Sequence, residues 1–247
     1  MDTATALWFA GGWCLAGFVN GITGFGAAMV AMPFVTQAMD ITVAVPACSL
    51  LVLIASLEQG WRYRGNTDWR RVLPVMIGTL PGALAGFFIL RHLSPAGLQA
   101  ALGAFLLLYA VWGLFFEGGK LRVISRLWGY ATGFFSTLFG TAFSFNGPPL
   151  AVYTSLSGWG KEASKAGLAM TFIVSCVLVI AAQACAGAHS MTTIIAMLIG
   201  TPATIAGAWL GFKVSRHMGD NTYRKLLFAF IACTGANFLW QVCRPLL

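Results

Sequence analysis

Two short stretches of this chain carry residue types that could hold a small anion inside a membrane. Gly21, Gly24, Phe25 and Gly26 interrupt one long apolar run, and Ser144, Asn146, Gly147, Pro148 and Pro149 interrupt another. Glycine and proline weaken or stop helices. Where a helix restarts after a break, its first N–H groups are unpaired and its end carries a partial positive charge, a ready seat for an oxyanion. Glycine lets the anion approach the backbone closely. The predicted substrate site is therefore Gly24, Phe25 and Gly26 facing Thr141, Ser144, Asn146, Gly147 and Pro148 near the bilayer midplane.

Side chains could add donors. Asn146 lies in the second break, and Asn20 lies one turn before the first. An amide there either donates to the anion or satisfies a carbonyl that the break has freed. Ser49 and Thr171 align on the helices that follow the two breaks and could contribute hydroxyls. The plainer alternative is a bond back to their own helix. Glycines in membrane helices also serve close packing alone. Lys165 is placed at a cytoplasmic entrance, with a snorkelling helix-end anchor as the alternative.

Other chemistries find little footing. The seven carboxylates (Asp2, Asp40, Glu58, Asp68, Glu117, Glu162, Asp220) lie at or near segment ends, so a mid-membrane carboxylate relay has no residue to run on. Glu58 comes nearest the interior, with Arg62 one turn away as its expected partner. His92, His189 and His217 are scattered, and the six cysteines form no CxxC pair. No metal, cofactor or catalytic cluster is expected, which argues against an enzyme.

The elements that must position these residues are membrane helices. The 247-residue chain is 58% hydrophobic and 9% charged, with mean hydropathy +0.80. Soluble domains carry about 25% charged residues; this chain needs the bilayer as its solvent. Its net charge of +8 sits in short gaps between apolar runs, which speaks for membrane topology and against nucleic acid. The runs lie at 6–39, 42–60, 72–90 and 96–116, then 124–158, 166–186, 190–212 and 223–243. The pattern is duplicated. Gly17, Phe18, Gly24 and Pro33 recur at the same spacing as Gly133, Phe134, Gly140 and Pro149, and Arg91-His92 recurs as Arg216-His217. Two repeats follow, 1–118 and 119–247, within one membrane domain.

Most runs have the length of about 20 residues that crosses a bilayer. The first run of each repeat, 6–39 or 124–158, is longer and broken. If it enters and leaves on one side, the basic residues sort thirteen against two, with only Arg91 and Arg244 apart. If it crosses, they divide almost evenly. The positive-inside rule favours the first arrangement. Each repeat then has three full crossings and the two are inverted. The expected fold is all-α: two inverted repeats, each a broken or re-entrant helical hairpin followed by three transmembrane helices, with both termini outside.

The repeated pattern resembles the TauE/SafE family of sulfite exporters. The matching residues are Gly17, Gly24-Phe25-Gly26 and Pro33, the loop from Trp61 to Arg70, the glycines from Gly78 to Gly86, and then Gly133, Gly140, Gly147-Pro148-Pro149, Tyr153, Lys161 and Lys165. The family often carries a glycine run after its first turn, where this chain has Gly26-Ala27-Ala28. The resemblance implies a bacterial inner-membrane carrier of small sulfur-containing anions (sulfite, sulfoacetate or other organosulfonates), working as an exporter. A carrier for another anion, uptake in place of export, and a non-transporting membrane scaffold stay open. Partners are then the small anion and the lipid, and a homodimer is admitted.

Overall fold

A computed structural model describes residues 3–89, 103–104, 106–108, 110–111, 125–143 and 146–243. Its nine full helices are α1 (Thr3–Thr23), α2 (Ala27–Ala38), α3 (Ile41–Arg62), α4 (Trp69–Ile89), α5 (Arg126–Phe143), α6 (Gly147–Leu156), α7 (Lys161–Cys185), α8 (Met191–Arg216) and α9 (Asp220–Cys243). The described residues contain no strand. The run at 96–116 falls mostly outside them, as do Arg91, His92 and Ser144.

Among the described residues, four helices are long and apolar enough to cross a membrane: Thr3–Thr23, Thr42–Arg62, Lys161–Cys185 and Met191–Arg216. Their outward faces carry Leu7, Leu15, Leu57, Val177, Leu198 and Trp209, all exposed. In water such a surface would aggregate; in a bilayer it meets apolar solvent.

Each broken run folds back on itself. The Phe34 ring of α2 lies against Trp8 of α1, with ring centroids 5.3 Å apart. In the second repeat, the Tyr153 hydroxyl of α6 lies beside Gly129 of α5. Sequence reading predicts two short arms, but the structure gives unequal ones. α1 has 21 residues against 12 in α2, and α5 has 18 against 10 in α6. The break stands late in each run because the first arm is held along its length by a glycine-lined neighbour.

That neighbour comes from the other repeat. α1 packs on α8 and α5 packs on α4. A Cβ at Gly17 would collide with the Thr204 carbonyl, and one at Gly207 with the Cys14 carbonyl. Gly78 and Gly82 meet Tyr130 and Phe134 in the same way. Glycines four residues apart thus bring two backbones into contact, which in lipid replaces the missing hydrophobic drive between helices. Contacts advance together along both pairs, so α1 runs parallel to α8, and α4 to α5. α3 and α7 are antiparallel: Ser49 meets Gln183, whereas Gln59 meets Lys165.

These directions gather the basic residues. Lys161 Nζ, at the start of α7, donates to the carbonyls of Ser215 and Met218 at the end of α8, at 2.9 and 2.7 Å. Asn66, in the turn after α3, donates to Glu162. Arg62, Arg64, Arg70, Arg71, Arg126, Lys161, Lys213 and Arg216 therefore share one end of the bundle. Among the described residues, the opposite end has Asp40 and the 186–190 turn and carries no Lys or Arg.

Candidate functional site

The first break is a two-glycine turn. Gly24 (φ +91°) and Gly26 (φ +88°) occupy left-handed backbone that other residues rarely adopt. Ending α1 there frees carbonyls inside a low-dielectric interior, where each must find a donor. Lys165 Nζ reaches the Gly21 oxygen at 2.7 Å. The Tyr223 hydroxyl reaches Thr23 at 2.8 Å. Gln59 Nε2 lies 3.1 Å from the Gly24 oxygen and 2.8 Å from that of Lys165. Asn20 Nδ2 donates to Gln59 Oε1 at 3.3 Å, so its amide closes this network. α3, α7 and α9 together clamp one end of α1.

The second break is arranged differently. Gly24 and Gly140 match in the repeat, yet Gly140 stays inside α5 and packs against Asn146 Cβ. The break comes about one helical turn later, between Phe143, where α5 ends, and Gly147, where α6 begins. Ser136 Oγ donates to the Asn146 carbonyl, and Asn146 Nδ2 donates to Ser175 Oγ at 2.9 Å. α6 then opens with Gly147, Pro148 and Pro149. Two of its first three residues have no N–H to offer, so α6 is a poorer anion seat than its position suggests. Pro33, the counterpart of Pro149, sits in the interior of α2.

The two breaks meet through Phe25. Its side chain is fully buried, lies against Gly147, and stands edge-on to Phe230 with centroids 5.3 Å apart. Phe25 belongs to the apolar cluster of the second hairpin, with Leu150, Leu168 and Phe172, although it comes from the tip of the first.

Beside this junction is a cavity of about 20 Å³, lined by Ala28 at the start of α2, Cys48, Ser49 and Val52 of α3, Thr137 and Gly140 of α5, Asn146, and Ser175, Cys176 and Val179 of α7. It has room for about one water molecule. No charged side chain lines it. Its polar groups are Ser49, Thr137, Asn146 and Ser175, and Thr137 Oγ1 is buried with no partner. Such a site offers neutral donors that can replace part of an anion's hydration shell; its volume is smaller than any sulfonate.

Of the predicted residues, Ser49 and Asn146 line the cavity. Gly24, Phe25, Gly26, Gly147 and Pro148 form the junction beside it. Asn20 lies in the clamp on the first break. Thr171 Oγ1 bonds back to Gly167 at 2.9 Å and Thr141 Oγ1 to Thr137 at 2.8 Å, each within its own helix. Lys165, expected at an entrance, is fully buried. Arg62 lies over the Phe212 ring at 4.9 Å, and Glu58 Oε2 is buried with no hydrogen-bond partner; the two interact through charge, without a hydrogen bond. Tyr63, which follows α3, has its phenol pushed above the ordinary range by burial. Sequence reading missed Gln59, Thr137 and Ser175. The adjacent pairs Cys48-Ser49 and Ser175-Cys176, on the two helices after the breaks, were a usable signal for the last.

The sulfite exporter TauE/SafE family model matches residues 9–238. A probable sulfite/organosulfonate exporter TauE of Cupriavidus necator is 24% identical over 228 residues, spanning 88% of this chain and 87% of that protein. No solved structure matches.

Proposed function

Because the chain belongs to the sulfite exporter TauE/SafE family, whose members are membrane transporters rather than enzymes, we propose that it exports small sulfur-containing anions through the junction of its two helix breaks. The observation that carries this reading is the cavity between α2, α3, α5, Asn146 and α7, with an unpartnered Thr137 hydroxyl facing a site that holds neutral donors alone. An anion bound there gains from Asn146, Ser175, Ser49 and the N-terminal end of α2. Sulfite and small organosulfonates suit a site of hydroxyl and amide donors. They require the cavity to open beyond its present volume, as alternating access demands.

The two repeats are inverted in this reading. What supports it is the reciprocal packing of α1 on α8 and α5 on α4, and the antiparallel pairing of α3 with α7. The end that gathers the basic residues is the cytoplasmic one. With the cytoplasm negative, an anion leaves downhill by about 2.3 kcal/mol per charge per 100 mV. A reporter fused after Leu247 should then appear on the outer face of the inner membrane; one active only in the cytoplasm contradicts the inversion.

The decisive test is flux from proteoliposomes loaded with sulfite, sulfoacetate, thiosulfate or simple carboxylates. Sulfite or sulfoacetate efflux should rise when an inside-negative potential is imposed, and the same anion should raise the thermal midpoint of the purified protein. If none of these anions moves and none stabilises the protein, the transport reading fails.

A further inference from the structure

Lys165 is the most costly residue in the described structure. Its side chain is fully buried. Nζ donates to the Gly21 carbonyl at 2.7 Å and to Ser215 Oγ at 2.6 Å. The rings of Tyr63, Tyr223 and Phe212 stand 5.5, 5.6 and 6.0 Å from it. No carboxylate bonds to it: Glu162, one turn earlier on α7, acts on it through its charge without contact, and Lys161 and Arg62 act against that; among the described residues the contact ion pair is Arg71–Asp68. Two neutral acceptors and three ring faces offset part of the desolvation of an ammonium group, but a buried cation ordinarily has a counter-charge. An ammonium also has three N–H groups, and two acceptors account for two.

The position of this group matters as much as its burial. Its carbonyl partner, Gly21, is the last turn of α1 before the first break. Its hydroxyl partner, Ser215, ends α8, the helix on which α1 is packed. Lys165 thus ties α7 to both α1 and α8 at the tip of the broken hairpin. On the basic end of the bundle lies a second cavity, of about 330 Å³, lined by Lys161, Ser164, Ser155, Trp159, Tyr223 and the carboxylate Asp220 among others. Ser155 Oγ and Trp159 Nε1 are buried there without partners. Tyr223 is shared: it lines this cavity, faces Nζ, and donates to the Thr23 carbonyl. One aromatic layer therefore separates a space large enough for an organosulfonate from an ammonium that no carboxylate contacts.

We propose that Lys165 is a latch opened by the transported anion: an anion entering from the basic end displaces Gly21 O and Ser215 Oγ from Nζ, and the freed hairpin tip opens the way to the midplane cavity. This rests on the transport reading above. The anion supplies a negative charge in direct contact with Nζ, which Glu162 acts on only from a distance, so the tie breaks only when substrate is present. The chain is thereby closed at rest and opened by its own cargo.

The two partners of the latch should respond in opposite directions. Sulfite efflux is measured against concentration for wild type, Lys165→Met and Ser215→Ala in proteoliposomes, with thermal midpoints recorded with and without sulfite. Lys165→Met should raise the KM for sulfite by about tenfold or more and remove the sulfite-induced thermal shift. Ser215→Ala removes a competitor for Nζ and should lower KM by about threefold without loss of maximal flux. The latch is overturned if Lys165→Met keeps the wild-type KM, or if both variants lower maximal flux at unchanged KM, the pattern of a purely structural clasp. If Lys165→Met does not fold, the direction of the Ser215→Ala shift decides alone. A wild-type protein that moves no sulfite, sulfoacetate, thiosulfate or carboxylate sinks the transport reading itself, before any variant is compared.

Discussion

Replacing Asn146 with leucine is expected to reduce anion flux on the order of 100-fold while the protein still folds. The side chain stands where the second hairpin turns, and Nδ2 donates to Ser175 Oγ across the cavity. Among the described lining residues it is the amide; the other polar groups are hydroxyls. A site with no cation binds an anion only through the sum of such donors, so the loss of one is severe. Leucine adds a second effect, since its branched end would fill a cavity of about 20 Å³. The fold should tolerate the change better than transport does. The carbonyl of residue 146 keeps its bond from Ser136, and the Ser175 hydroxyl still donates to Phe172. The stability loss is expected near 1–3 kcal/mol, the cost of a buried group left with one partner fewer. Ser175→Ala should cost flux less, about tenfold, because Asn146 stays free to face the anion. Efflux assays beside thermal unfolding in detergent separate the two effects. Wild-type flux from Asn146→Leu would move the site away from this cavity.

The sequence made the membrane, the breaks and the duplication legible because each is written in residue types that have few other uses. Gly24-Phe25-Gly26 in an apolar run of more than thirty residues leaves little alternative to a turn, and the basic residues divide thirteen to two if each broken run enters and leaves on one side. What stayed hidden depends on which helix meets which. Gly17 and Gly133 occupy matching places in the repeat, and nothing in their own half shows that each packs on the third apolar run of the other half. Lys165 illustrates the same limit. A lysine four residues into α7 is ordinarily free to snorkel; here α1 and α8 close over it, and its ammonium is drawn inward by the carbonyl that the first break exposes. The one-turn offset between the two breaks was equally invisible. Gly140 keeps helical geometry because α5 continues past it, and the two prolines at 148 and 149 set where α6 can begin.

Gly26→Val should be the most damaging single substitution at the junction, abolishing flux and lowering the thermal midpoint of the purified protein. Three costs add at one atom. The residue has φ +88°, and left-handed backbone costs a non-glycine residue roughly 1–2 kcal/mol. A β-branched side chain is still worse placed there. A Cβ would also run into the Phe230 ring, reaching Cζ at 2.5 Å, and overpacking of this kind costs about 1–3 kcal/mol. Phe230 cannot retreat without disturbing Phe25, which stands edge-on to it and rests on Gly147. The strain at the first break is therefore delivered to the second, and the cavity between α2 and α7 loses its shape. Gly24→Ala provides the comparison. Its φ is nearly the same, +91°, but the nearest neighbours of its Cβ are Lys165 Cγ at 3.1 Å, Leu168 Cδ1 at 3.3 Å and Gln59 Nε2 at 3.4 Å, contacts that shifts of a few tenths of an ångström relieve. It should cost only the backbone term and retain measurable flux. Gly65→Ala, where nothing lies within 4 Å, should be neutral. If the three variants lose stability equally, backbone conformation and the Phe230 contact do not set the geometry of the junction. If Gly26→Val keeps wild-type flux, the anion passes without using the tip of the first hairpin, since no arrangement that leaves Phe25 in place has room for a valine beneath Phe230.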